Sequence, residues 1–286
     1  MSYACGMHAT QAEKARRFRA LHEGPGAFVI PNPWDAGTAR ILTAMGFAAL
    51  TTTSAGLAFS LGRRDGAGLI TRDETLANAK AIADATELPV AADLENGFGD
   101  APEAAAETIR LAAQRAGLCG GSIEDATGDP AKPIYDFNHA VERIAAAAQA
   151  ARALTFPFTL VARAENFLHG RADLDDTIRR LQAFERAGAD ALYAPGVTDA
   201  QDIRTICQSV GKPVNAVMGL RGRSLSVSEL AALGVRRISV GSTLSRAALG
   251  AFVRAAREMR ERGTFDFADD AIPFADLNAM MSGGSP

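Results

Sequence analysis

The sequence predicts a single (β/α)₈ barrel, and three observations carry that expectation. Short apolar segments alternate with Ala-rich helical segments eight times along 286 residues. Each apolar segment is nearly continuous, as parallel strands covered on both faces must be. Several helical segments also end in a small residue plus Gly with a strand directly after, as in Ala44-Met-Gly46, Arg115-Ala-Gly117, Arg186-Ala-Gly188 and Ala232-Leu-Gly234. Glycine there closes a helix in the left-handed region and turns the chain into the next strand. Eight such units in one chain make a closed barrel the leading architecture.

The elements follow in order. A charged helix near 10–23 precedes the first strand, at 27–31. The turn after that strand reads Asn32-Pro-Trp-Asp-Ala36, not the Gly-x-Gly-x-x-Gly of an open dinucleotide-binding sheet. The remaining strands are expected at 48–53, 90–94, 121–125, 158–163, 191–194, 213–218 and 237–241. The helices are expected at 36–45, 71–86, 101–116, 138–153, 173–187, 199–209, 226–233 and 243–262. No linker divides the chain, so 1–286 is read as one barrel domain, with 1–26 an N-terminal arm and 264–286 a packing tail. That tail carries Phe265, Phe267, Ile272, Pro273, Phe274, Leu277, Met280 and Met281, and must pack on the barrel or on another subunit.

Composition narrows the function. The chain is 48% hydrophobic and 22% charged, which is ordinary for a globular protein. A net charge of -3 with no basic cluster argues against nucleic acid. No run of about 18 apolar residues is present to span a membrane. The stretch Glu13-Lys-Ala-Arg-Arg-Phe-Arg19 is too charged for a signal peptide core. The three cysteines, Cys5, Cys119 and Cys207, are scattered and read as reduced thiols, so a cytoplasmic location is expected.

Function in such barrels sits at the C-terminal strand ends. Those ends carry Asp35, Ser54-Ala-Gly56, Asp93 with Glu95, Glu124 with Asp125, and Arg163 with Glu165; Asp65 lies in the loop Gly62-Arg-Arg-Asp-Gly66, and Asn215 lies on the seventh strand. Asp93 and Glu95 are two apart, so on a strand they point the same way. Two acids on one buried face repel unless a cation sits between them, and carboxylate oxygens suit Mg²⁺. Facing water or a nearby Arg is the plainer alternative. Asp35 is equally readable as a helix cap. Asp65 beside two arginines is equally a surface ion pair. Arg163 is either a structural partner of Glu165 or a fork for a substrate carboxylate. Ser54–Gly56 is either a turn or a backbone cradle for an oxyanion. His139 reads as a first-turn helix residue and His169 as a loop residue; neither suggests a zinc or nucleophile site.

Taken together, Pro31-Asn-Pro-Trp-Asp-Ala36, Thr53-Ser-Ala-Gly56, Gly62-Arg-Arg-Asp65, Asp93-Leu-Glu-Asn-Gly-Phe-Gly99, Ile123-Glu-Asp125 and Ala162-Arg-Ala-Glu165 resemble the isocitrate lyase/phosphoenolpyruvate mutase superfamily, over about 31–263. The resemblance implies a barrel whose eighth helix is swapped between subunits of a dimer or dimer of dimers. It implies Mg²⁺, with Mn²⁺ as the substitute, held by Asp65, Asp93, Glu95 and Glu124, mostly through water, with Asp93 the direct ligand. It places the substrate-gripping Arg on Arg163 and the backbone cradle on Ser54, Ala55 and Gly56.

The departures are specific. Where the lyases carry Lys-x-Cys-Gly-His, this chain reads Ala126-Thr-Gly-Asp-Pro-Ala-Lys-Pro-Ile-Tyr135, and the mutase Lys-Thr-Asn-Ser loop is absent too. Glu95 stands where Asp is usual, and Ala194-Pro-Gly196 replaces the lyase Glu after the sixth strand. The expectation is therefore a Mg²⁺-dependent lyase or hydrolase that cleaves a C–C bond of a small 2-oxo or 2-hydroxy dicarboxylate, oxaloacetate-like first, through an enolate. Arg163, Asp65 and Glu124 are the expected catalytic residues, and Ser54, Ala55, Gly56, Arg163 and Asn215 bind substrate. Thr127, Asp129, Lys132 and Tyr135 are read as a lid hinged at Gly128. C–P cleavage of a phosphonopyruvate-like substrate and a non-catalytic 2-oxo acid barrel are the alternatives.

Overall fold

A computed structural model describes residues 9–219 and 224–283. Helix α1 (Gln11–Glu23) is followed by β1 (Phe28–Val29), α2 (Ala36–Ala44), β2 (Leu50–Thr51), α3 (Ser54–Ser60), α4 (Arg72–Asp84), β3 (Val90–Asp93), α5 (Pro102–Ala116) and β4 (Gly120–Glu124). Then come α6 (Phe137–Arg152), β5 (Thr159–Arg163), α7 (Leu174–Ala187), β6 (Ala191–Tyr193), α8 (Ala200–Ser209), β7 (Val214–Val217), α9 (Val227–Leu233), β8 (Arg237–Ser239), α10 (Thr243–Arg262) and α11 (Phe274–Met281).

All eight strands are parallel, in the order β1-β8-β7-β6-β5-β4-β3-β2. The seam between β1 and β2 is bridged by the Thr51 N–H donating to Pro31 O at 3.1 Å. Asn32 reinforces it from both sides. Its Nδ2 donates to Thr52 O, and its Oδ1 accepts from the Val240 N–H. A buried side chain thus supplies hydrogen bonds that the short first strands cannot.

The floor of the barrel is closed by α1. Thr10 and Glu13 form a reciprocal capping box that starts this helix. Its Phe18 is fully buried against Gly120, where a Cβ would lie 2.8 Å from the Phe18 ring. Any larger residue at the start of β4 would push the plug out.

The strand and helix expectations hold, with most helices shorter by a residue or so at their ends. The strands are trimmed too: β1 and β2 have two residues each. Three features were not anticipated. Ser54–Ser60 is a helix, capped by Thr53. The tail folds as a 3₁₀ turn over Asp266–Asp270 and then α11, which packs on α2, with Arg40 donating to Met281 O. His169 ends a 3₁₀ turn, Asn166–His169, where a plain loop was expected. Cys5 lies outside the described residues.

Candidate active site at the strand ends

Strands β3, β4 and β5 are buried along their length and open only at the last residue, which is Asp93, Glu124 and Arg163 in turn. Register fixes their neighbourhood. Glu124 pairs with Arg163, Arg163 with Tyr193, Tyr193 with Asn215, and Asn215 with Arg237. Paired residues on neighbouring strands share a face, so this row runs round the inside of the barrel.

Arg163 is the hub. Its Nη1 donates to Asp93 Oδ1 at 2.9 Å, its Nε to Glu165 Oε1 at 2.8 Å, and its Nη2 lies 3.2 Å from Glu124 Oε2. The guanidinium also sits 5.2 Å from the centre of the Tyr193 ring. Burial works to strip its proton, but Glu165, Glu124 and Asp93 outweigh that and push its pKa up. The pairing with Glu165 is the structural reading of Arg163, and two of its five N–H groups remain beyond those directed at the three acids.

The acids crowd one another. Burial, then repulsion from Asp93 and Asp65, pushes Glu95 up to about 7. Burial raises Glu124 well above the usual range, with Glu165, Asp93 and Glu95 adding to the effect and Arg163 opposing it. Asp65 is raised by desolvation and by Asp93, although the residue is exposed on its loop. Asp65, Asp93, Glu95 and Glu124 therefore share one electrostatic site. Arg63, which the loop sequence offered to Asp65, pairs instead with Glu74 at 2.8 Å.

The route by which Glu95 arrives differs from the sequence argument. Strand β3 ends at Asp93, so strand alternation does not bring Glu95 to its side. Glu95 has φ 49 and Phe98 φ 60, both in the left-handed region that side chains avoid. Such conformations cost about 1–3 kcal/mol and collect at functional sites. The tight turn lets the Glu95 N–H donate to Asp93 Oδ1 at 3.2 Å, fixing the aspartate while its own carboxylate swings to the mouth. Ser54 Oγ holds the other Asp93 oxygen at 3.0 Å.

Ser54, Ala55 and Gly56 form the first turn of α3. The Gly56 N–H is spent on Thr53 Oγ1 at 3.2 Å, so the cradle expected here has the Ser54 and Ala55 N–H groups to offer. Gly56 itself is a packing residue, since a Cβ would lie 2.9 Å from Trp34. Asp35 caps α2 through the Thr38 N–H, as its plainer reading held. Asn215 is buried below the mouth, its Nδ2 donating to Ser239 and its Oδ1 without a hydrogen-bond partner among the described residues.

Asp125 and Tyr135 support the site from behind. Asp125 accepts from the Glu165 N–H at 2.8 Å and from Arg180 Nη1 at 3.0 Å. Tyr135, expected in the lid, is buried and donates to Asp100 Oδ1 at 2.6 Å, with Arg143 over its ring. Ala126 bridges Ile134, so this loop is a small hairpin whose exposed tip holds Asp129 and Lys132. The sequence reading passed over Tyr193 and Arg180; strand register is what places the first under Arg163.

The donor set fits a hard divalent cation: oxygen ligands only, mutually repelling, at one strand-end mouth. Among the described residues, no three His, Cys, Asp or Glu side chains close on a single point. A magnesium ion, which keeps several of its waters, suits such a loose ring better than a cage of direct ligands.

Comparison with known proteins places this arrangement in a family. A Burkholderia cenocepacia J2315 protein with the provisional description lyase/mutase is 61% identical, with a TM-score of 0.93, covering 96% of this chain and 99% of that one. The 2-methylisocitrate lyase of Bacillus subtilis (strain 168) is 28% identical over 92% of this chain and 87% of its own. The oxaloacetate decarboxylase of Pseudomonas paraeruginosa (strain DSM 24068 / PA7) is also 28% identical, over 89% of this chain and 88% of its own. The family model for phosphoenolpyruvate phosphomutase matches residues 18–260, a span that holds all eight strands and every acid around Arg163, and the chain belongs to that family.

Proposed function

We propose that this protein is a Mg²⁺-dependent lyase or hydrolase that cleaves a C–C bond in a small 2-oxo or 2-hydroxy dicarboxylate, with oxaloacetate-like acids first. The observation that carries the reading is the Arg163 guanidinium set among Asp93, Glu124 and Glu165 at the strand ends. The relatives named for 2-methylisocitrate and oxaloacetate support the substrate class.

Asp93, Glu95, Asp65 and Glu124 are the residues that would hold the ion, with Asp93 closest. When bound, Mg²⁺ supplies Lewis-acid stabilisation of negative charge on the substrate's 2-oxygen. The chain's own groups do the rest. Arg163 has N–H groups beyond those given to its three acids, and these orient the substrate carboxylate. The Ser54 and Ala55 N–H groups face the developing oxyanion from the first turn of α3, where the helix dipole favours negative charge. Asn215 lies beneath this floor, its Oδ1 buried and without a hydrogen-bond partner among the described residues. Burial pushes the Glu124 pKa up, which eases the repulsion that a substrate dianion would meet.

The family's helix exchange also has support. Only Ser245 and Glu258 of the 20-residue α10 are buried. Leu244, Leu249, Phe252, Val253 and Met259 are exposed along it. So large an apolar face marks an interaction surface, and we read it as the contact between subunits of a homo-oligomer. No helix of the described residues is long and apolar enough to cross a membrane.

The test is thermal unfolding with oxalate, an enolate mimic, with and without Mg²⁺, followed by product analysis on oxaloacetate, 2-methylisocitrate and phosphonopyruvate. Oxalate should raise the melting temperature only when Mg²⁺ is present, because a ligand of the folded state stabilises it by mass action. Pyruvate plus CO₂, oxalate plus acetate, or a shorter acid from the second substrate each identify a C–C cleavage. Release of phosphate from phosphonopyruvate alone would replace this reading with C–P cleavage. Binding without turnover of any of them would leave a 2-oxo acid binding barrel.

A further inference from the structure

The opposite end of the barrel holds a cavity of about 1160 Å³ between α1, the C-terminal end of α6 and the starts of β5 to β8. It lies among Arg16, Arg19, Arg152, Lys212 and Arg236, with Glu23 and Asp190 as its only acids. The whole chain has 30 basic and 33 acidic residues, so five cations against two acids is a local reversal of its charge balance.

The charges are only partly compensated. Glu23 is taken by Arg19 at 2.9 Å. The Asp190 carboxylate accepts from the Leu160 N–H at 2.9 Å and lies within electrostatic reach of Arg19, Lys212 and Arg152. Arg152 and Arg236 donate to backbone carbonyls, of Gly188 and Gly26, which orients each guanidinium without neutralising it. Gly188 is part of this arrangement. Its φ is +110, and a Cβ there would overlap the Arg152 guanidinium. Arg16 and Lys212 make no salt bridge among the described residues, and the remaining positions of the chain contain no Asp or Glu.

A buried histidine stands in the wall. His22 is 4% exposed and lines the cavity. Its Nδ1 lies 2.8 Å from Phe18 O, and a carbonyl can only accept, so Nδ1 carries the proton. Nε2 is then an acceptor, buried and without a partner among the described residues. That atom is closed off from the cavity by its burial, so His22 forms part of the wall rather than a ligand contact. Leu154, Phe156 and Pro157 give the cavity an apolar side.

We propose that this basal cavity binds an organic phosphate monoester, the chemistry shared by sugar phosphates and mononucleotides. The phosphate would sit among Arg16, Arg152, Lys212 and Arg236, with the organic part of the ester against Leu154, Phe156 and Pro157. At about 1160 Å³ the cavity is a little larger than the usual ligand pocket of about 300–1,000 Å³, so such a molecule has room to enter. The site is separate from the strand-end acids and would act as an effector or carrier site.

Calorimetric titration of the full chain with ribose 5-phosphate, AMP, inorganic phosphate and adenosine tests this. Both esters should saturate one site, inorganic phosphate should bind at least tenfold more weakly, and adenosine should not bind. AMP without ribose 5-phosphate narrows the class to nucleotides. Arg16→Glu with Lys212→Glu, both at the cavity rim, should weaken ester binding at least tenfold while leaving the Mg²⁺-oxalate thermal shift unchanged. Competition of either ester by oxalate would place it at the strand-end site and overturn the proposal. So would esters that bind no better than inorganic phosphate, or affinities unmoved by the double charge reversal.

Discussion

Arg163 Nη1 meets Asp93 Oδ1 at 2.9 Å although β4 lies between their strands. Neighbouring strands are about 4.8 Å apart, so the contact spans two strand spacings. Barrel curvature turns both side chains inward, and the reach of arginine covers what remains. The guanidinium thereby ties the ends of β3 and β4 to the turn after β5.

Arg163→Lys should therefore do more than lose a substrate contact. A lysine keeps the charge but cannot place N–H groups on Asp93, Glu124 and Glu165 together. At least one half-buried carboxylate loses its partner. The variant should bind oxalate at least tenfold more weakly in the presence of Mg²⁺ and melt at lower temperature. Oxalate titration followed by thermal unfolding reads both; wild-type oxalate affinity with lowered stability would leave Arg163 a purely structural partner of Glu165.

Asp93→Ala should abolish the Mg²⁺-dependent part of the oxalate effect, because it deletes the proposed direct ligand. Glu95→Asp should be milder, since it shortens an acid that the left-handed turn already brings to the mouth. Mg²⁺ affinity unchanged in Asp93→Ala would falsify the metal assignment.

Catalysis should not need a thiol. Cys119 is fully buried just before β4, with burial pushing it up to about 11, and Cys207 lies in α8, raised to about 11 for the same reason. Both belong to the basal half of the barrel, away from Arg163. Replacing all three cysteines by Ser or Ala, in a variant that folds, should leave turnover of the true substrate close to wild type. A loss of several powers of ten with Mg²⁺ binding intact would return the chain to the Cys-dependent lyases.

His22 should make the protein acid-sensitive. Burial, then the charge of Arg237, pushes its pKa down to about 3, against roughly 6.5 unfolded. Below pH 6.5 the unfolded chain takes up a proton that the folded one refuses. Its contribution is thus complete above pH 6.5 and is lost as pH falls toward 3. Between pH 7 and 5.5 the loss is about 1 kcal/mol. Urea unfolding at the two pH values should show His22→Leu with a slope smaller by that amount; equal slopes would mean that His22 titrates normally in the fold.

Phe252 is 68% exposed near the middle of α10. If this face meets another subunit, Phe252→Glu should lower the mass measured by light scattering from that of a dimer or tetramer toward the monomer. A monomeric wild type would end the helix-exchange reading.

The sequence by itself determined the barrel and the residues at its mouth. Parallel strands buried on both faces leave a periodic record, an unbroken apolar run followed by a helix and a closing Gly, and Asp93, Glu124 and Arg163 are legible because each stands where such a run stops. Local chemistry was legible too, as in the Asp35 cap. Tertiary structure decided the rest. It made Arg163 the partner of three acids on different elements, turned Glu95 to the mouth through a left-handed residue rather than by strand alternation, and took the Gly56 N–H for a helix cap. It placed Tyr193 beneath the guanidinium and buried Tyr135 against Asp100. Each of these depends on distances between segments far apart in the chain, or on a backbone angle that only its surroundings can enforce. Residue spacing records neither, because it reports which face a side chain takes on its own element and not what stands across from it.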